Sequence, residues 1–350
     1  MLGLLALVTE GAALTWIAVR PPRRVRRAIG RAGARPLLGA AALGAGGAVL
    51  LVVLTLPEAV IGQQRQRDYG LSTQGWGSWT GDLAKSTLVG GVIAAVAGLL
   101  LMALIRRFPR SWFAGGAVAL VLLSVVFQYG SPLVIDPLFN KFTALPEGRL
   151  RASVLDLAQR SGVDVGQVYR VNASVQTTGA NAYVTGIGAS KRVVLFDNLI
   201  DSFSPGQIDS VVAHELGHVK HRDVPRGLLW LVIVALPGMF LVQTLTEAIG
   251  GRPRGVPGPA ILPAAALAIA VVSFALQIPG NLLSRRVEGS ADAYALRLTD
   301  DAPAFIAVER KLAVQNLSDP DPPKWLQFLF GTHPSTVTRI GYGLTWARSQ

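Results

Sequence analysis

Cysteine is absent from the 350 residues, so neither a disulfide nor a thiolate-ligated metal site can form. Histidine is scarce, with four copies in the chain. Charged residues make up only 15%, against the ~25% usual for a soluble domain, which argues against an ordinary soluble globule. Acidic residues are the scarcer sign, 21 against 33 Lys and Arg, leaving a net charge of +12. A basic chain of this kind raises the question of nucleic acid, yet it has no basic stretch interleaved with aromatics of the sort that stacks on bases. The arginines gather instead beside apolar runs, as Arg20, Arg23, Arg24, Arg26, Arg27, Arg31 and Arg35, then Arg106, Arg107 and Arg110. Basic residues flanking apolar runs meet anionic lipid and set topology. The charge therefore points to a lipid bilayer as partner and not to nucleic acid.

What the chain has in quantity is apolar sequence, 51% of its residues. A bilayer crossing needs about 20 predominantly apolar residues, and the runs 37–56, 87–105, 112–135, 227–249 and 260–283 qualify. A sixth, 1–19, is interrupted by Glu10; it has no basic n-region and no small-residue cleavage site before Arg20, so it reads as an anchor. The stretches 136–226 and 284–350 are too polar for lipid and too short to be comfortable alone. Two spans separate them, so they are expected to meet on one side, with the Gly/Pro-rich link 250–259 turning at the other face.

Within 136–226, residues 150–161 read as an amphipathic helix, and 168–172, 182–185 and 193–196 as short strands between Gly- and Asn-containing turns. Ser204-Pro205-Gly206-Gln207 then has the pattern of an N-cap, a proline at the first helical position and a capping box. The helix so started runs to about Lys220 and carries His214-Glu215-Leu216-Gly217-His218 in its body. Two histidines four apart share one helix face and can reach one metal ion, while the intervening Glu215 can take a proton from metal-activated water. Random placement of this composition gives the motif roughly once per thousand such chains, so chance is a poor account of it.

Two histidines do not complete a catalytic zinc site, which takes three protein ligands and keeps a place for water. His221, His333 and the downstream carboxylates are the candidates for the third. Glu288 is favoured: it lies in an expected helix just after the last apolar run, with Asp292 one turn on. The first could ligate while the second accepts the free ring N–H of a ligating histidine. The same spacing also suits a solvated charge pair. His221 falls at a helix end amid charges and reads as solvated or phosphate-facing; His333, before Pro334, reads from its surroundings as a surface residue.

Several motifs line up with one family. They are Tyr69-Gly70-Leu71-Ser72-Thr73-Gln74; Pro137-Leu138-Phe139-Asn140-Lys141-Phe142 with Leu145-Pro146-Glu147-Gly148; Asn181-Ala182-Tyr183 with Gly186; Lys191-Arg192-Val193-Val194-Leu195-Phe196-Asp197; the His214 to His218 motif; Ser284-Arg285-Arg286 with Glu288 and Ala291-Asp292; and His333-Pro334 with Arg339. In this order and spacing the chain resembles the type I CAAX prenyl endopeptidases, membrane zinc metalloproteases with bacterial members. The resemblance implies a mainly α, multi-pass membrane protein of about six transmembrane helices, with a zincin-like catalytic portion and a small β-sheet. Residues 1–135 would be an N-terminal region of four spans, 136–226 the catalytic portion with the motif helix, 227–283 two further spans, and 284–350 a C-terminal catalytic portion bringing the third zinc ligand.

The resemblance also implies roles. One Zn²⁺ per chain would be held by His214, His218 and Glu288, with Asp292 in support and Arg339 holding the His333 region. Asn181 and His333 would donate to the scissile carbonyl oxygen, and Asn181, Ala182 and Tyr183 would open an edge strand on which an extended peptide is laid. Read without the family, Asn181 is an ordinary turn residue. The chain departs from its eukaryotic likenesses in showing six spans where they have seven, and in Val219 where an aromatic is common. The family likeness puts the catalytic portion on the cytosolic side of the cell membrane, whereas the basic loops 20–35 and 106–110 argue the reverse by the positive-inside rule.

The expected activity is hydrolysis of peptide or membrane-associated protein substrates with Glu215 as general base. Two other readings compete: a heat-shock-type membrane quality-control zinc protease, and a non-catalytic membrane scaffold. An intramembrane site-2-type protease would need its motif inside an apolar span.

Overall fold

The computed structural model describes residues 2–251 and 257–350. The middle of the expected turn 250–259 therefore lies outside the described residues. Among the described residues, six helices are long and apolar enough to cross a membrane: Leu2–Val19, Pro36–Leu54, Trp76–Arg107, Trp112–Phe139, Asp223–Gly250 and Pro259–Thr299. The protein is a multi-pass membrane protein, mainly α, with one small sheet. Helix Trp76–Arg107 is longer than its apolar run because a polar first turn and the Asp82–Lys85 pair, 2.8 Å apart, continue it. Likewise the expected helix after 283 is no separate element: Leu262–Thr299 is unbroken across Pro279 and carries both the apolar run and the charged residues beyond it.

The chain divides into two compact units. The first comprises Met1–Arg65, Gly75–Val125 and Leu229–Leu276. Lipid gives helices no hydrophobic drive to associate, so close backbone approach through small residues takes over. A Cβ on Gly44 would come within 2.2 Å of the Ala94 carbonyl oxygen, and one on Gly98 within 2.6 Å of that of Ala40. Ala40, Gly44, Ala94 and Gly98, spaced by four on each helix, thus form the seam. In the same unit the buried Gln243 accepts from the Phe113 N–H (3.1 Å) and donates to the Arg110 carbonyl (3.0 Å), satisfying backbone groups at a helix start.

The second unit comprises Gln66–Gln74, Val126–Leu228 and Gln277–Gln350. Its sheet has strands β1 (Phe142–Ala144), β2 (Gln167–Val171), β3 (Ala182–Thr185) and β4 (Arg192–Phe196) in the order β1-β2-β4-β3. β2 and β4 run parallel; the outer pairings are antiparallel, so β3 is an edge strand. Val168, Val193 and Leu195 of the sheet, Val154 and Leu157 of helix Arg149–Ser161, and Ile208, Val212 and Leu216 of helix Pro205–Lys220 make one buried core. That last helix begins as its sequence predicts. Ser204 caps it, the Ser204 N–H in turn donates to the Gln207 side-chain oxygen (3.0 Å), and Pro205 opens it. Because one face is committed to the core, the histidines on the next face are fixed in direction.

Candidate metal centre

His214 and His218 stand one turn apart on helix Pro205–Lys220, and Glu288 comes from the latter half of helix Leu262–Thr299. One ligand atom from each lies within 4.8 Å of the others. The two Nε2 atoms face each other at 3.1 Å, and Glu288 approaches them at 3.3 Å (His214) and 3.7 Å (His218). Each ring's other nitrogen meets a carboxylate: His214 Nδ1 lies 2.8 Å from Asp292 Oδ1, and His218 Nδ1 lies 2.9 Å from Asp223 Oδ2. A carboxylate accepts, so both Nδ1 atoms donate and both Nε2 lone pairs turn inward. Glu288 Oε2 is buried, 3.3 Å from His214 Nε2 and 3.3 Å from His333 Nε2, without a well-formed hydrogen bond to either. Three acceptors converge there with no neutral donor among them, an arrangement that a cation satisfies. Two neutral imidazoles and a carboxylate are the donor set of a catalytic zinc site.

The surroundings hold this set in place. Asp292 has no exposed surface; beyond His214 it accepts from Arg339 Nε (2.8 Å) and Nη2 (2.5 Å). Arg339 also pairs with the buried Glu309 at 2.8 Å. Burial pushes the Glu309 carboxyl up to about 7 against the pull of Arg339. Burial alone would lower His214, but its bonds to Asp292 and Glu288 prevail and raise it to about 10. Burial also raises the Glu215 carboxyl, which His214 and His218 oppose.

Of the residues expected at the site, His214, His218, Glu288, Asp292, His333 and Arg339 come together; His333 Nε2 lies 3.3 Å from Glu288 Oε2. Asn181 is exposed at the start of edge strand β3, and its side-chain oxygen accepts from the Ala182 N–H at 2.9 Å. Ala182 is buried in the core shared with the motif helix. Tyr183 faces the other way, toward Asp136, and burial with that carboxylate pushes its hydroxyl up to about 12. Neither Asn181 nor Tyr183 hydrogen-bonds the His–His–Glu group. His221 lies beside Tyr294, ring centroids 5.5 Å apart, and is no part of it.

Sequence reasoning missed Asp223 and Glu309. Asp223 reaches back to His218 only because Arg222, at φ 58°, takes the left-handed conformation and ends the helix sharply. A helical wheel carried past Lys220 therefore misplaces it, although an acid just past the motif helix was a visible signal. Glu309 sits on the buried side of helix Ala302–Gln315 among apolar residues, and only its rarity as a buried charge could have marked it.

Residues 144–342 match the model of peptidase family M48, more than half of the chain. The chain belongs to peptidase family M48. Residues 42–141 match a second model, described as the CAAX prenyl protease N-terminal region with five membrane helices. An uncharacterized metalloprotease of Bacillus subtilis, YhfN, is 34% identical over 298 residues, covering 83% of this chain and 70% of the relative. The CAAX prenyl protease 1 homolog of rice is 36% identical over 227 residues, 62% of this chain and 52% of the relative. The chain thus spans about half the length of that plant relative. The crystal structure of S. mikatae Ste24p superposes with a TM-score of 0.80 at 23% identity, covering 91% of this chain and 80% of that one, a likeness of fold. As an M48 member with membrane-spanning helices, the chain is a membrane metalloendopeptidase, and the family's metal is typically zinc.

Proposed function

We propose that one zinc ion per chain is held by His214, His218 and Glu288, and that the site hydrolyses a peptide bond of a peptide or membrane-associated protein. The carrying observation is the convergence of three metal-seeking atoms, two of them on rings whose far nitrogens are tied to carboxylates. When bound, the ion supplies the Lewis acidity that polarises a carbonyl and makes water acidic. Glu215 takes the proton of the attacking water and passes it to the departing amine; its burial, by raising the carboxyl, suits proton exchange nearer neutral pH. His333 donates from its ring nitrogen to the carbonyl oxygen as negative charge develops, and Asn181 donates from its side-chain amide. Arg339 and Asp292 hold His214 in orientation. The open edge of β3 accepts an extended substrate as an added strand, with Asn181, Ala182 and Tyr183 pairing through their backbones.

Glu215→Gln keeps the shape of the side chain and removes the base. Zinc content should stay at the wild-type level while kcat falls about 10²- to 10⁴-fold; undiminished cleavage would exclude the mechanism. The names of the relatives suggest a fluorogenic peptide ending in a farnesylated Cys-aliphatic-aliphatic-X sequence as the probe, with its unprenylated twin showing whether the lipid is recognised. We place the site on the cytosolic side of the cell membrane, following the family likeness against the basic-loop argument. A topology reporter fused after Gln350 that became exported would reverse this.

A further inference from the structure

The segment carrying His333 is anchored to the helix that carries Glu288. Asn281, Arg285, Glu288 and Asp292 follow one another on helix Leu262–Thr299 at spacings of four, three and four, which lines them along one face. The last two serve the histidines. The first two serve the chain around His333: the buried Asn281 donates Nδ2–H to the Leu329 carbonyl (2.7 Å), and Arg285 Nη1 donates to the carbonyls of Gln327 (2.9 Å) and Gly331. Gln327 closes the ring by donating Nε2–H to the carbonyl of His333 itself (2.5 Å). The loop has no slack at Gly331, where a Cβ would meet the Gln327 side chain at 2.6 Å and its carbonyl oxygen at 2.7 Å.

The Leu329 and Gly331 carbonyls lie at the end of the short helix Lys324–Phe330, where backbone oxygens run out of intrahelical donors, while the Gln327 carbonyl also accepts from the Gly331 N–H at 3.1 Å. An arginine supplies several donors in a fixed fork, so it fixes the segment in direction as well as in distance. We propose that Asn281 and Arg285 are positioning residues, which hold the 327–333 segment on the Glu288 helix and thereby set where the His333 ring stands, 3.3 Å from Glu288. The inference rests on the reading of His333 as a donor in the reaction, and adds that its aim is built from the face already carrying the metal-seeking carboxylate.

The test uses the full-length, zinc-loaded protein, the farnesylated fluorogenic peptide as probe, and hydrogen–deuterium exchange over residues 327–335. Arg285→Met removes the donors and keeps the bulk. It should leave zinc content and KM near wild type, speed exchange in that segment, and lower kcat by about a hundredfold, the usual penalty of displacing a reacting group by an ångström. In a His333→Ala background the same substitution should cost nothing more, and Arg285→Lys should recover part of the loss. Gly331→Ala, which displaces Gln327 from the other side, should reproduce the exchange and kcat effects without touching the helix. Unchanged exchange in Arg285→Met, or losses that multiply in the double variant, would overturn the proposal. Faster exchange together with wild-type kcat in His333→Ala would keep the anchor and sink the role given to His333.

Discussion

Asp292→Asn is the substitution whose consequences the structure specifies most fully. Two carboxylate oxygens, without solvent exposure, accept from His214 Nδ1, Arg339 Nε and Arg339 Nη2 at 2.8, 2.8 and 2.5 Å. Asparagine offers one oxygen and turns an NH₂ toward at least one of these donors. A buried donor left unpaired costs about 1–3 kcal/mol. Here the donors include a guanidinium that keeps its ion pair with Glu309 but loses the one with Asp292, so a loss of about 3–5 kcal/mol in folding stability is expected.

The second effect is on the metal. With a donor facing its Nδ1, His214 takes the tautomer that puts the proton on Nε2, the atom needed for ligation. Losing a carboxylate that orients a ligating histidine typically lowers metal affinity about 10- to 100-fold, or about 1.4–2.8 kcal/mol. Competition with a zinc-selective chelator, run beside thermal unfolding in detergent, reads both. Zinc affinity within about twofold of wild type in the folded variant would refute the reasoning, since the ring's orientation would then not depend on Asp292.

Asp223→Ala should weaken zinc about 10-fold or more through His218, with a smaller stability cost because Asp223 makes no comparable buried network; chelator competition checks it. The proton on His214 gives a pH signature. Its value in the metal-free fold is raised from 6.5 to about 10, so at neutral pH zinc must displace that proton, and zinc affinity should climb as pH rises toward 10. Calorimetry in two buffers of different ionisation enthalpy should find about one proton released per zinc at pH 7; no release would contradict the assignment. The same shift stabilises the metal-free fold fully below pH 6.5, and that contribution should fade as pH rises through 10.

Local signals were legible in the sequence, and those spanning long separations were not. The Ser204 capping box placed the motif helix correctly because a cap is decided within four residues. The strands at 182–185 and 193–196 were legible from β-branched runs, whereas β1, three residues long, is defined by its pairing with β2 and carries no pattern of its own. Glu288 and Asp292 showed their shared face, yet spacing could not tell a solvated pair from one buried against His214, 78 residues away in sequence. Only the family resemblance separated the two. The uninterrupted course of Leu262–Thr299 was hidden because apolar composition ends near Ser284 while helical hydrogen bonding does not. Asp223 was hidden by a single left-handed residue, Arg222.

Metal analysis of purified wild-type protein beside Glu288→Ala asks whether His214, His218 and Glu288 together hold one zinc ion. One zinc per chain is expected in the wild type and little in the variant, with Glu215→Gln, one residue from His214, still fully loaded. A Glu288→Ala protein that keeps one zinc per chain, or a folded wild type that binds none, would contradict it.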